Sequence, residues 1–224
     1  MEIRVMLTAA FKAAYEVLVP EFERASGHKV TTLWTPSVEM MKRLKEGETV
    51  DLAIMSASAI DELIKLGKLV SRTDLAKSGV GVAVLAGAPK PDISSGAALK
   101  RAVLAAKSIV YSTGPSGIYL KDLFERWGIA EKIKSKVIVC KGEPAGAVVV
   151  RGEADLAFQQ VCELLPVAGI DLVGPLSPDV QNITMFSAAV HVQAVQPGGA
   201  RALVKYFTAK EAHAVIRRCG MEPA

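Results

Sequence analysis

Four short stretches carry residues that could hold a small, negatively charged ligand. Thr8 to Lys12, Thr35-Pro36-Ser37 and Gly114-Pro115-Ser116-Gly117 combine hydroxyl groups, small residues and one lysine, and Gln159-Gln160 adds two amides. Hydroxyl and amide groups donate hydrogen bonds to oxygen-rich anions, and small residues let backbone N–H groups approach closely. The chemistry that they predict is anion binding without a metal and without a buried lysine.

Hydrophobic periodicity in the first part of the chain places two of these stretches between a strand and a helix. The run Ile3 to Leu7 predicts a strand, and apolar spacing from Phe11 to Phe22 predicts a helix that Pro20 should bend. The strands Val30 to Trp34 and Val50 to Met55 follow, separated by a helix. Because ligands of open α/β sheets bind beyond the carboxyl ends of strands, these loops are candidate sites.

The same alternation returns in the second half of the chain. The apolar runs 108–111, 136–140, 154–159 and 170–173 predict strands, and the helical patterns are 97–106, 117–127, 144–151 and a final helix over 200–214. Strands that alternate with helices predict an α/β fold in which mainly parallel sheets are flanked by helices.

Two longer apolar runs predict that the chain forms two lobes. They lie near 80–87 and 183–195, and we interpret them as hinge strands by which the chain leaves one lobe and later returns. The predicted division is a discontinuous first lobe, residues 1–82 and 192–224, and a second lobe, residues 83–191.

Each candidate also has a purely structural interpretation. Ser37 and Ser116 could be ordinary helix N-caps, the Gly-Pro-Ser-Gly stretch could be only a tight turn, Lys12 could be solvated, and the two glutamines could be a surface pair. The shared position after a strand favours the ligand-binding interpretation. The predicted ligand-binding residues are Thr8, Ala9, Ala10, Lys12, Ser37, Ser56, Gly114, Ser116, Gly117, Gln159 and Gln160.

The amino-acid composition argues against several classes of protein. The 224 residues are 50% hydrophobic, which is ample for a core, and no apolar run reaches the length of a membrane span. The net charge of +4 is not concentrated in a basic block, so we expect no nucleic-acid partner. Cys140, Cys162 and Cys219 show no metal or disulfide spacing, and the three histidines are isolated, so we expect free thiols and no metal. We also expect no cofactor and a monomeric protein.

Four segments, taken in order along nearly the whole chain, resemble the type II periplasmic solute-binding proteins, in the branch that includes the molybdate-binding proteins. They are RVMLTAAFKAAYEVLVPEFERASGHKV, LKEGETVDLAIMSA, PSGIYLKDLFERWGIAEKI and VVVRGEADLAFQQVCELLPVAGIDLVGPL. The resemblance implies two lobes, two hinge strands and a small anion trapped in the cleft between them. It also implies capture of a solute for an ABC-type permease if the protein is exported.

Two departures from the molybdate-binding pattern change the predicted ligand. The resemblance places a serine hydroxyl where this chain has Ala10 and a tyrosine at or near Gln160, whereas Ser37 matches the second hydroxyl position. Each lost donor to a buried anion costs about 1–3 kcal/mol. With Lys12 as a cation and Gln160 as an amide, an organic carboxylate suits the site better than molybdate.

Two other functions remain open from the sequence. An isomerase that shifts the double bond of aconitate is similar to this branch, and such an enzyme needs a proton donor or acceptor, for which Tyr111, Tyr119, Lys12 and Glu163 are available. A sensor domain of a regulator is the third possibility. The first residues read directly as a strand, so we expect a periplasmic protein if a leader was removed and a cytoplasmic one if the chain is complete.

Overall fold

The computed structural model describes residues 1–224, and the chain divides into two compact units. The first unit comprises Met1–Ser78 and Thr184–Ala224, and the second comprises Gly79–Ile183. The chain passes from the first unit to the second within the strand Leu69–Leu85 and returns at the start of the strand Ile183–His191.

The regular elements alternate as the hydrophobic pattern predicts. The strands are β1 (Glu2–Leu7), β2 (Lys29–Trp34), β3 (Leu52–Ser56), β4 (Leu69–Leu85), β5 (Ile109–Ser112), β6 (Val137–Cys140), β7 (Leu156–Gln160), β8 (Ile170–Pro175), β9 (Ile183–His191) and β10 (Glu222–Pro223). The helices are α1 (Lys12–Ser26), α2 (Ser37–Lys45), α3 (Ala57–Lys65), α4 (Gly96–Ala105), α5 (Pro115–Arg126), α6 (Ala130–Ile133), α7 (Ala145–Val150), α8 (Val161–Leu164), α9 (Pro197–Phe207) and α10 (Lys210–Arg218). Short 3₁₀ turns lie at Ala9–Phe11, Lys134–Lys136 and Pro178–Val180.

In the first unit, three parallel strands form the part of the sheet that carries the candidate residues. Strand β1 lies between β2 and β3 and is parallel to both, and β9 continues the sheet antiparallel to β3. Met6, Met40 and Leu44 belong to a buried cluster that packs helix α2 against the sheet. The carboxyl ends of β1, β2 and β3 therefore lie side by side at one edge.

The second unit repeats this plan. Strand β5 is parallel to β6 and β7, and β4 pairs antiparallel with both β7 and β8. One buried cluster contains Leu120 and Phe124 of α5, and another contains Val148 and Val149 of α7. Consecutive residues of β5, Ile109 and Val110, belong to different clusters, as expected for a strand with helices on both faces of its sheet.

The α/β prediction is confirmed. Helix α1 is continuous through Pro20, which is exposed, so water can satisfy the carbonyl that loses its donor. Two details differ from expectation. Strand β4 begins at Leu69, eleven residues before the expected run. Two helices, α9 and α10, stand where a single final helix was expected. They are separate because the Thr208 hydroxyl donates to the carbonyls of Val204 and Lys205, and Ala209 is extended.

None of the helices is both long enough and apolar enough to cross a membrane. All three cysteines are free thiols; Cys140 and Cys162 are buried and Cys219 is half-buried. The structure contains no group of three or more His, Cys, Asp or Glu side chains that could hold a metal ion.

Candidate functional site

The hydroxyl residues of the first unit follow three adjacent strands. Thr8 follows β1, Ser37 begins α2 after two residues that separate it from β2, and Ser56 ends β3. Thr8 is buried and its N–H donates to the carbonyl of Ile54 at 3.1 Å, whereas Ser37 and Ser56 are half-buried. The parallel pairing thus brings these three predicted residues to one edge of the first sheet.

Neither Ser37 nor Ser56 uses its hydroxyl as a helix cap. The N-cap residue of α2 is Pro36, and Ser37 is the first residue inside the helix. Ser56 is the N-cap residue of α3, but its side chain accepts no capping hydrogen bond and instead contacts the Ser58 hydroxyl at 3.4 Å. The N-cap interpretation of Ser37 is therefore wrong, and both hydroxyls remain able to bond a ligand.

The other predicted residues of the first unit have ordinary surroundings. Ala9 and Ala10 form a 3₁₀ turn between Thr8 and α1, in which Ala10 is buried. The Lys12 ammonium lies 3.7 Å from the Glu16 carboxylate and 5.3 Å from the centre of the Trp34 ring. The exposed Lys12 side chain thus has surface partners, as in the solvated interpretation.

In the second unit, the first turn of α5 presents a buried hydroxyl that has no partner. Gly114 is the N-cap residue, Pro115 is the first helical residue, and Ser116 follows it. Only 1% of Ser116 is exposed, and its Oγ makes no hydrogen bond. A buried hydroxyl without a partner costs about 1–3 kcal/mol, so such a group in a native fold calls for a ligand or another explanation.

Gly117 has a packing role that explains the sequence of this turn. A Cβ built on Gly117 would lie 1.7 Å from the carbonyl oxygen of Ser112, the last residue of β5. Because only glycine allows that approach, α5 can begin directly against the end of the strand. The tight turn between β5 and α5 thus positions Ser116. Because Gly114 is the N-cap residue, the N-cap interpretation of Ser116 is wrong.

The paired amides at the end of β7 are buried, so the surface-pair interpretation is wrong. Gln160 is 0% exposed and Gln159 is 3% exposed. The Ala145 N–H donates to Gln159 Oε1 at 2.8 Å, and Gln159 Nε2 donates to Glu163 Oε1 at 2.9 Å. Gln159 therefore links the start of α7 to a carboxyl group on α8, rather than offering a free amide.

Glu163 is the titratable group that stands out at this edge. Burial raises the pKa of its carboxyl from the usual 4.5 to about 7, against the opposing effects of the bonds from Gln159 and from the backbone of Gln160. The sequence offered Glu163 only as one of four acid–base candidates. The available sequence signal was a glutamate four residues after Gln159, just past a predicted strand. The Gln159 nitrogen faces Glu163 because the Ala145 N–H at the start of α7 binds the amide oxygen, and only the fold brings Ala145 there.

The other acid–base candidates are less suited to proton transfer. The Tyr119 hydroxyl donates to the Val180 carbonyl at 2.7 Å, and burial raises the pKa of Tyr111 further above 10. Glu143 and Glu153 both pair with Arg151, which lowers the pKa of each carboxyl. These two acids are surface ion-pair partners of Arg151.

Comparison with known proteins identifies the family. Residues 3–222 match the family described as bacterial extracellular solute-binding protein. This chain belongs to that family.

Two characterised relatives cover almost the whole chain. The aconitate isomerase of a Pseudomonas species is 37% identical over 229 residues, which is 99% of this chain and 87% of the relative. The molybdate-binding protein ModA of Azotobacter vinelandii is 26% identical and covers 98% of this chain and 89% of its own length.

Solved structures confirm the periplasmic binding-protein fold. The periplasmic molybdate-binding protein of Azotobacter vinelandii matches with a TM-score of 0.79 at 17% identity, covering 98% of each chain. The sulfate-binding protein SubI of Mycobacterium tuberculosis matches with a TM-score of 0.80 at 17% identity, covering 100% of this chain and 87% of its own. At this identity the likeness shows the fold alone.

Proposed function

We propose that the protein binds a small organic anion that carries two or three carboxylates. The observation that carries the proposal is Ser116, whose buried hydroxyl has no partner at the first turn of the twelve-residue helix α5. A carboxylate oxygen satisfies that hydroxyl and is favoured by the positive end of the helix dipole. The hydroxyls of Ser37 and Ser56, which cap no helix, offer donors of the same kind in the first unit.

A carboxylate fits the residues better than molybdate does. The chain has Ala10 in place of a hydroxyl and Gln160 in place of a tyrosine, relative to the molybdate-binding pattern that it resembles. The relative named aconitate isomerase is also more similar to this chain than ModA is, at 37% against 26% identity. Both differences favour an organic acid as the ligand.

The physiological role that follows is solute capture. We propose that the segments near 80–87 and 183–195 act as hinges, and that the loaded monomer delivers its ligand to an ABC-type permease. Binding would then shift the population toward a closed form. The family's extracellular character supports a periplasmic location for this chain.

A thermal-shift panel tests the ligand class. Purified protein is heated with molybdate, tungstate, sulfate, malate, citrate, cis-aconitate and trans-aconitate, each added in excess. A ligand at one hundred times its Kd stabilises the folded state by about 2.7 kcal/mol, which is readily measured. We expect the strongest response from a tricarboxylate, and a response to molybdate with none from organic acids would reverse the ligand assignment.

A second candidate function is isomerisation of aconitate, and two observations favour it. The relative that is 37% identical over 99% of this chain is an aconitate isomerase, and Glu163 supplies a carboxyl whose pKa of about 7 suits proton transfer near neutral pH. Incubating the protein with cis-aconitate and following the trans isomer by proton NMR tests this function. If cis-aconitate binds but its spectrum does not change, the protein captures the solute without isomerising it.

A further inference from the structure

The orientation of the Gln159 amide is fixed by its two partners. Ala145 donates a backbone N–H at 2.8 Å, so the Gln159 atom that receives it must be the oxygen, Oε1. The nitrogen, Nε2, therefore faces Glu163 and donates to its Oε1 at 2.9 Å. This bond holds the Oε1 oxygen of the Glu163 carboxyl, and a bond from the backbone of Gln160 also reaches this carboxyl.

The Glu163 side chain is half-buried, and the groups bonded to its carboxyl carry no charge. Partial burial has the largest effect on its pKa, and the opposing groups are the amide of Gln159 and the backbone of Gln160. A carboxyl that loses water without gaining a cation is uncommon in folded proteins. A carboxyl whose pKa is raised in this way, beyond the carboxyl end of a strand, is a candidate for function.

We propose that Glu163 is the catalytic residue that moves the proton when the double bond of aconitate shifts; this inference rests on the second candidate function. The carboxylate of Glu163 takes a proton from the methylene carbon of aconitate, so that a C–H bond breaks and an O–H bond forms. The electron pair spreads over three carbons toward a carboxylate. Glu163 then returns the proton to the far carbon, which leaves an isomer of equal composition and the carboxylate restored.

Gln159 acts as a positioning residue in this step. Its amide donates to Glu163 Oε1 in both protonation states, because that oxygen can accept a hydrogen bond whether the second oxygen carries the proton or not. The Ala145 N–H prevents the amide from turning over. The reacting oxygen of Glu163 is thereby kept in one place, which is what proton transfer to carbon requires.

Among the charged and titratable groups around Glu163, its own carboxyl is the one whose pKa is raised to about 7. On β6, burial and the nearby Glu143 and Glu163 carboxyls raise the pKa of the Cys140 thiol to about 11. Glu143 is paired with Arg151, and Asp171 on β8 accepts from the Gly87 N–H at 3.0 Å. The isomerisation rate should therefore rise with pH around 7, as Glu163 becomes a carboxylate.

The experiment compares the full-length protein with Glu163→Gln, Glu163→Asp and the control Glu153→Gln. Glu153 is an exposed carboxyl in the same unit that pairs with Arg151. Isomerisation of cis-aconitate is followed by proton NMR from pH 5 to 9, and binding of trans-aconitate is measured by calorimetry. We expect Glu163→Gln to lose at least about 100-fold in kcat while still binding trans-aconitate, and Glu153→Gln to match the unchanged protein.

The outcomes separate the inference from the function on which it rests. Residual activity of Glu163→Asp with a displaced pH midpoint would support a carboxylate base, since a purely structural role would not move the pH profile. If the unchanged protein isomerises aconitate and Glu163→Gln does so at a similar rate, the assignment of Glu163 is overturned. If the unchanged protein binds aconitate but never isomerises it, the second candidate function fails, and the inference fails with it.

Discussion

The Cβ position of Gly117 lies 1.7 Å from the carbonyl oxygen of Ser112, far inside any allowed contact between heavy atoms. Helix α5 begins against the last residue of β5 for this reason, and Ser116 is placed one residue before the close approach. The relationship links a backbone constraint to the residue that carries the proposed function. It also makes the first turn of α5 sensitive to a single methyl group.

Gly117→Ala should destabilise the protein by about 3 kcal/mol or more, because the added methyl group meets backbone and not a flexible side chain. The matched control is Gly198→Ala in α9, where an added Cβ meets nothing within 4 Å. Urea denaturation of both variants measures the difference. Equal stability of the two variants would show that α5 begins elsewhere.

Ser116→Ala should separate ligand binding from stability. Removal of a buried hydroxyl without a partner should leave the free energy of unfolding unchanged or slightly higher, whereas affinity for a carboxylate ligand should fall about 5- to 150-fold. Ser95→Ala is the control, because the Ser95 hydroxyl caps α4 by accepting from the Ala98 N–H at 3.2 Å.

That control variant should behave in the opposite way. Loss of the Ser95 cap should cost about 1 kcal/mol of stability and leave ligand affinity unchanged. Thermal unfolding with and without a tricarboxylate measures both quantities for each variant. A large loss of stability in Ser116→Ala would mean that its hydroxyl serves the fold and not a ligand.

Glu163 predicts a fall in stability as the pH rises. The unfolded chain ionises this carboxyl near 4.5, whereas the folded protein holds its proton until about pH 7. Between these values the unfolded state binds fewer protons, so stability decreases with pH across this window and levels off above it. Glu163→Gln removes this contribution and should be more stable than the unchanged protein at pH 8 by about 1–3 kcal/mol.

The matched control for that pH series is Glu153→Gln. Arg151 lowers the pKa of Glu153, so the stability linked to its ionisation is gained in the acid range and adds little slope above pH 6. Urea denaturation at pH 5, 6, 7 and 8 gives the slope for each protein. The assignment of the titration to Glu163 would be refuted by identical slopes for Glu163→Gln and the unchanged protein.

Asp51 stabilises the first unit through two backbone donors. Its carboxylate is 2% exposed and accepts from the N–H groups of Arg4 and Gln196, both at 2.7 Å. Asp51→Ala leaves both donors without a partner and should cost about 2–4 kcal/mol. Asp61→Ala, which removes only the surface ion pair with Arg72, should cost less than about 1 kcal/mol by the same denaturation assay.

The sequence by itself determined the fold class and the positions of the candidate loops. Apolar runs of strand length alternate with helical patterns, and this local information predicts strands β1, β2, β3, β5, β6 and β7 close to their observed bounds. The resemblance to solute-binding proteins also followed from the order of four segments, and the family match over residues 3–222 confirms it. Local spacing is enough for these conclusions because it sets which residues face a core.

Only the tertiary structure decided what the individual side chains do. The sequence could not distinguish an N-cap from an unpartnered hydroxyl at Ser116, because that depends on which backbone groups lie within 3 Å of its Oγ. It could not single out Glu163, because the Ala145 N–H that orients the Gln159 amide and the Val180 carbonyl that binds Tyr119 are brought close only by the folded chain. Burial and orientation are set by packing between distant segments, and a one-dimensional pattern does not contain them.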